Sequence, residues 1–121
     1  MDKRGYKELH VWRESVSFIP DVYAILQTFP AHERYALTDQ IRRAAVSVAA
    51  NIAEGQARYY RPEFLRHLRI AKGSLAELHT LFIVAEQVGY ITPIQLELLE
   101  QGVYGISRPL NGLIAKIKAE A

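Results

Sequence analysis

The stretch FLRHLRIAKGSLAELHTLFIVA, residues 64–85, decides the fold. Within it Phe64, Leu68, Ala71, Leu75, Leu78, Phe82 and Ala85 recur at alternating steps of four and three. A seam that returns every 3.5 residues keeps one stripe of a helix against its neighbour, as left-handed helix packing requires. Working outward, the same rhythm appears three more times. Leu9, Trp12, Val16, Ile19, Tyr23 and Leu26 carry it before the stretch, and so do Leu37, Ile41, Ala44, Val48 and Ile52. Leu96, Leu99, Val103, Ile106, Leu110, Leu113 and Ile117 carry it afterwards. No segment of similar length alternates with period two, so the chain reads as all-α.

The punctuation supports four helices over about 8–28, 33–54, 62–88 and 93–118. Phe29-Pro30-Ala31-His32 divides the first two, and Gly55 suits a left-handed residue closing the second. Pro62 fits the first turn of the third helix, Gly89 its end, and Thr92-Pro93 an N-cap and first position for the fourth. Short connections favour antiparallel neighbours. The expectation is one domain, 1–121, folded as an antiparallel, left-handed, up-down-up-down four-helix bundle. Pro20 and Pro109 fall inside continuous seams and should kink or break their helices. Trp12 and Tyr23, on the first seam, are expected in the core.

Composition removes whole classes of function. The 121 residues contain no cysteine, which excludes disulfides, thiolate metal sites and thiol nucleophiles. The N-terminus has no apolar signal stretch, and the uncharged run 44–53 is about half a membrane span. A cytoplasmic protein with no membrane partner is expected. Net charge is only +2, yet residues 34–72 hold eight Lys/Arg against three acids. Residues 73–107 hold four acids and no Lys or Arg. Such asymmetry fits an anionic partner, or one protomer's basic end meeting another's acidic end.

Two groups of residues stand out from the seams. Gln40, Arg43, Ser47, Asn51 and Glu54 form a polar row beside the second seam, placed to bond across a helix or subunit boundary. A network that fixes register is the first reading of this row, and a ligand-binding or pore-lining row is the second. Arg58-Tyr59-Tyr60-Arg61 leads into Arg66, Arg69 and Lys72, with Arg42 also off its seam. Guanidinium groups pair with phosphate oxygens, and exposed tyrosines stack on unpaired bases. The plain alternative is a solvated face with Tyr59 and Tyr60 packed as loop anchors.

The row also carries a resemblance. Leu37-x-x-Gln40-Ile41-Arg42-Arg43-Ala44-Ala45-x-Ser47-x-x-x-Asn51-Ile52-Ala53-Glu54-Gly55 resembles the signature of the bacterial 23S rRNA intervening-sequence proteins, also called four-helix-bundle proteins. Glu63-Phe64, Ile70-Ala71-x-Gly73-Ser74-x-x-Glu77-Leu78 and Gly89-Tyr90-Ile91 continue it, and Val11-Trp12, Tyr23 and Phe29-Pro30 precede it. Pro20, Pro109 and Arg61 before Pro62 depart from the pattern. The resemblance implies an up-down bundle assembling as a homopentameric barrel with a central channel. A related group, the accessory variability proteins of diversity-generating retroelements, forms similar pentamers that bind nucleic acid and a reverse transcriptase. The partners implied are therefore further copies of the chain, RNA or DNA, and a reverse transcriptase or ribosome-associated protein.

Catalytic constellations are missing. There is no Glu-x-x-His pair of the di-iron bundles, and His10, His32, His67 and His79 form no pair at helical spacing. Glu63 and His67, one turn apart, read as an exposed pair. Gly102, Gly105 and Gly112 line one side of the last helix and read as sites of tight helix or subunit packing. The chain is read as a non-enzymatic protein without metal or cofactor. Arg42, Arg58, Arg61, Arg66, Arg69 and Lys72 are its candidate phosphate contacts, and a protein-binding scaffold is the alternative.

Overall fold

A computed structural model describes residues 5–120, and among them there are four long helices and no strand. They are α1 (His10–Leu26), α2 (Leu37–Ala57), α3 (Arg61–Gln87) and α4 (Pro93–Glu120), with 3₁₀ turns at Tyr6–Glu8 and Ala31–Glu33. Each helix packs on its sequence neighbour, and α1 also packs on α4. Between α2 and α3, Ser47 meets Ser74 and Asn51 meets His67; between α3 and α4, His79 meets Glu100 and Arg61 meets Glu120. The α2–α3 turn and the C-terminus of α4 thus share one end of the molecule, and the α3–α4 turn lies at the other.

The core keeps closely to three of the four seams. Every seam residue of α3 is buried, as are Ile41, Ala44, Val48 and Ile52 of α2 and Leu99, Val103, Ile106, Leu110 and Ile117 of α4. On α1 the buried line is Val11, Ser15, Phe18 and Val22, one position before the expected Trp12, Val16, Ile19 and Tyr23. The two lines meet at Leu26, which is buried as expected. Ser15 can occupy this line because its hydroxyl donates to the Val11 carbonyl oxygen at 2.7 Å, which removes the cost of a bare buried polar atom. Trp12 is consequently only partly buried, its ring tilted against that of Tyr6 with centroids 5.3 Å apart, and Tyr23 is exposed rather than in the core. Phe18 meets Phe82 edge-on, with ring centroids 6.3 Å apart.

Helix ends obey local chemistry in two places and defy the expectation in another. Thr92 Oγ1 accepts from the Gln95 amide at 3.1 Å while Gln95 Oε1 accepts from the Thr92 amide at 2.8 Å, a reciprocal cap ahead of Pro93. Gly89, at φ 86°, ends α3, with its amide donating to Glu86 and that of Tyr90 to Ala85. Gly55, by contrast, is helical, and α2 continues to Ala57. The positive φ after α2 belongs instead to Tyr59, at 52°. Gly55 is needed for space: a Cβ there would lie 2.5 Å from His67 Cβ. The second helix also starts at Leu37 rather than 33, because the 3₁₀ turn occupies 31–33. Neither Pro20 nor Pro109 breaks its helix.

Candidate nucleic-acid interface

Folding gathers the positive charge at one end. The described parts near the α2–α3 turn (5–17, 48–74 and 106–120) hold ten Lys/Arg and five acids; the remainder holds three and seven. Five of the six candidate phosphate contacts lie at the basic end: Arg58 at the end of α2, then Arg61, Arg66, Arg69 and Lys72 along α3. Arg42 does not join them, since sixteen residues of helix place it about 24 Å from Arg58. It donates to Asp39 and, secondarily, to Tyr23, and these hydrogen bonds hold its proton more tightly than usual.

Several of these cations are held by local carboxylates. Arg58 lies 3.5 Å from Glu54, and Arg61 lies 3.6 Å from Glu120 while donating to that residue's carbonyl oxygen at 2.7 Å. Arg66 donates to Glu63 Oε2 through Nε and Nη2 at 3.2 and 3.0 Å. Exposed pairs of this kind contribute little to stability, so an incoming phosphate can displace the carboxylate. Tyr59 and Tyr60 are each 60% exposed, not packed as anchors. Arg108, Lys116 and Lys118 of α4 share the same end. Sequence spacing does not reveal them as part of the patch, because they lie 36 residues or more beyond Lys72 and only the α3–α4 register brings them near.

Behind this surface runs a polar chain that includes part of the sequence-predicted row. Ser47 and Ser74 share a hydrogen bond of 2.9 Å between hydroxyls. Asn51 Nδ2 donates to the Ser47 carbonyl oxygen at 2.9 Å and to its Oγ at 3.0 Å. Asn51 Oδ1 faces His67 Nδ1 at 3.0 Å, and Arg66 Nη2 donates to His67 Nε2 at 3.1 Å. His67 is buried, contrary to the expectation of an exposed pair with Glu63. A backbone carbonyl only accepts, which sets the Asn51 amide and leaves Oδ1 toward His67; a guanidinium only donates. Both constraints require the neutral imidazole with its proton on Nδ1. Gln40, Arg43 and Glu54 stay outside this chain and are exposed, with Arg43 paired to Asp39 at 3.1 Å. The Arg66 hydrogen bonds, foremost among the causes, hold the Glu63 carboxyl below its ordinary range.

The opposite end has another character. A groove of about 470 Å³ between α1 and α4 is lined by Phe18, Asp21, Ala24, Ile25, Gln95, Leu98 and Leu99. Gly102 lets α4 close on α1 beside it, since a Cβ there would lie 2.1 Å from the Phe18 ring. Gly105 and Gly112 have open space around them, so within this chain they do not serve tight helix packing. Tyr90 Oη donates to Glu33 Oε2 at 2.8 Å, and Glu33 Oε1 accepts from the Leu37 amide at 3.2 Å. Those two bonds, the tyrosine's first, lower the Glu33 pKa, and the same contact raises that of Tyr90. Among the described residues no cluster of three or more His, Asp or Glu is arranged to hold a metal, and no helix is long and apolar enough to cross a membrane.

Comparison with known proteins agrees with the helical reading. The sequence model described as 23S rRNA-intervening sequence protein matches residues 7–112. A crystal structure of a protein of unknown function, from the S23 ribosomal protein family of Bacteroides thetaiotaomicron, superposes with a TM-score of 0.78. It is 24% identical, and the match covers 86% of this chain and 97% of that one, which supports the fold. No curated protein matches.

Proposed function

The chain belongs to the 23S rRNA-intervening sequence protein family, and from that premise we propose that it is a non-enzymatic, nucleic-acid-associated protein. In this reading the four helices form an antiparallel, left-handed, up-down-up-down bundle that assembles in the cytoplasm as a homo-oligomer, a pentamer by family resemblance. Its basic end takes phosphate backbones of RNA or DNA with little sequence preference. The observation that carries this reading is the segregation of charge: among the described residues, ten cations against five acids at the end that also exposes Tyr59 and Tyr60. Repetition of that end around an oligomer would turn a modest patch into a charged ring.

The test is binding of the intact protein to a structured RNA and to a DNA duplex, with mass measured in the same run. About six neutralised phosphates predict a fall in affinity of roughly 10³-fold between about 50 and 200 mM salt. Changing Arg58, Arg61, Arg66 and Arg69 together to Gln should abolish most of the binding; unchanged binding at low salt would refute the reading. A second reading, a protein-binding scaffold or adaptor, is favoured by the groove between α1 and α4 and by exposed Ile94 and Leu98 beside it. Pull-down of a specific protein that survives nuclease treatment and persists at high salt would support that alternative.

A further inference from the structure

Arg66 is unlike the other exposed cations of the basic end because its guanidinium is tied to a buried group. Its Nη2 donates both to Glu63 Oε2, at 3.0 Å, and to His67 Nε2, at 3.1 Å. The imidazole is anchored from behind by Asn51, which Ser47 anchors in turn, and the ring fits only because residue 55 has no side chain. A surface arginine is thereby connected to the interior of the α2–α3 seam through three hydrogen-bonded residues. A network needed only for helix register could have stopped at Asn51 and Ser74.

We propose that His67 is a positioning residue for phosphate binding, and that taking up a proton on Nε2 releases Arg66 toward the anion. The inference rests on the nucleic-acid reading of the basic end. Protonation leaves Arg66 without its nitrogen acceptor and sets two cations side by side. Glu63 Oε2, 4.0 Å from Nε2, is the carboxylate placed to take the new charge. As Glu63 turns to the imidazolium it loosens its hold on Arg66, and the Glu63–Arg66–His67 group passes from zero net charge to +1. The guanidinium, more than half exposed, is then free to pair with a phosphate.

The other charged groups near the ring keep this response local. On α2 they are Glu54 and Arg58, paired at 3.5 Å, and the Arg58 charge also acts on Glu63. On α4, Lys116 and Glu120 line the cleft that Gln56 and Phe64 share, and Glu120 is engaged by Arg61. Ahead of α1, Lys7 and Glu8 lie on the 3₁₀ turn that packs on α2, and Glu8 is 3.7 Å from Arg13. Beside the ring, Phe64 and Gly55 are uncharged.

The experiment is fluorescence anisotropy with a labelled dT20 oligonucleotide, whose phosphodiesters and bases do not titrate between pH 5.5 and 7.5. One added charge about 7 Å from a phosphate strengthens binding about threefold in water, and more where solvent is excluded. Wild-type affinity should rise by at least that factor on going to pH 5.5. His67→Gln and Arg66→Gln should each lose most of the rise. His10, His32 and His79 remain in both variants, so the difference of His67→Gln from wild type isolates His67 and that of Arg66→Gln isolates its guanidinium partner. A rise that survives in His67→Gln overturns this inference and leaves nucleic-acid binding standing. Absence of binding at both pH values in low salt overturns both. Should His67→Gln fail to fold, Arg66→Gln and the imidazole ¹⁵N spectrum of the wild type decide. A neutral ring protonated on Nδ1 at pH 7.5, gaining its second proton with the same midpoint as the affinity, is the expected result; a ring protonated on Nε2 is the contrary one.

Discussion

The two opposite seams of the molecule, α2–α3 and α1–α4, both close around a glycine but do so in different materials. At α2–α3 the glycine is Gly55, and it receives a histidine that belongs to a polar chain reaching the surface. At α1–α4 it is Gly102, and it receives the Phe18 ring beside an apolar groove. A glycine contact of this kind lets helices approach, but its consequence depends on the side chain admitted. An aromatic ring can lean into the groove next to it. A histidine with both nitrogens engaged cannot move without breaking hydrogen bonds. The first seam is thus the more exacting one.

Substitutions test that contrast in order of size. Gly55→Ala should be the most damaging, because its Cβ meets His67 Cβ, an atom fixed to the α3 backbone, so the helices must separate. Overpacking of this kind costs about 2–3 kcal/mol, read as a fall in melting temperature. Asn51→Leu comes next: it leaves the His67 N–H buried without an acceptor, a loss of about 2 kcal/mol. Undiminished stability in that variant would remove the network from the account of the seam. Gly102→Ala should cost about 1–2 kcal/mol, since the atoms it meets are the far end of the Phe18 ring. If Gly102→Ala proved worse than Gly55→Ala, the ranking of the two seams would be reversed.

Smaller effects sharpen the picture. Gly105→Ala adds a methyl group in open space within a helix and should raise stability by up to about 1 kcal/mol. A loss in urea unfolding would show that something covers that face. Acid titration supplies the mildest probe. Glu33 and Glu63 both have lowered pKa values in the folded chain, so their stabilisation is present above the ordinary carboxylate value of 4.5. It is lost as the pH falls through the lowered folded values. Glu63→Gln should flatten the part of that loss that comes from the Arg66 contact within α3, and Glu33→Gln the part that comes from the Tyr90 contact.

Much of this is legible in the chain. Three seams, the reciprocal cap at Thr92 and the turn at Gly89 need only neighbours within a few residues, and local spacing encodes them. The α1 seam departs from its pattern for a physical reason. Ser15 looks polar in sequence but satisfies itself on the Val11 carbonyl, so it enters the core while Val16 and Tyr23 face outward. The polar row is half legible. Ser47 and Asn51 carry the network, but their partners, Ser74 and His67, are 27 and 16 residues distant in sequence.

The sequence by itself determined the number of helices, their type and the uneven distribution of charge, because periodicity and composition are properties of one strand of residues. Tertiary structure decided which cations share a surface, adding Arg108, Lys116 and Lys118 to the end that carries Arg58. It also decided that Gly55 serves as space for His67 and not as a helix terminator. Those outcomes depend on the register between helices, which is set by how whole faces interlock, and no local pattern contains it.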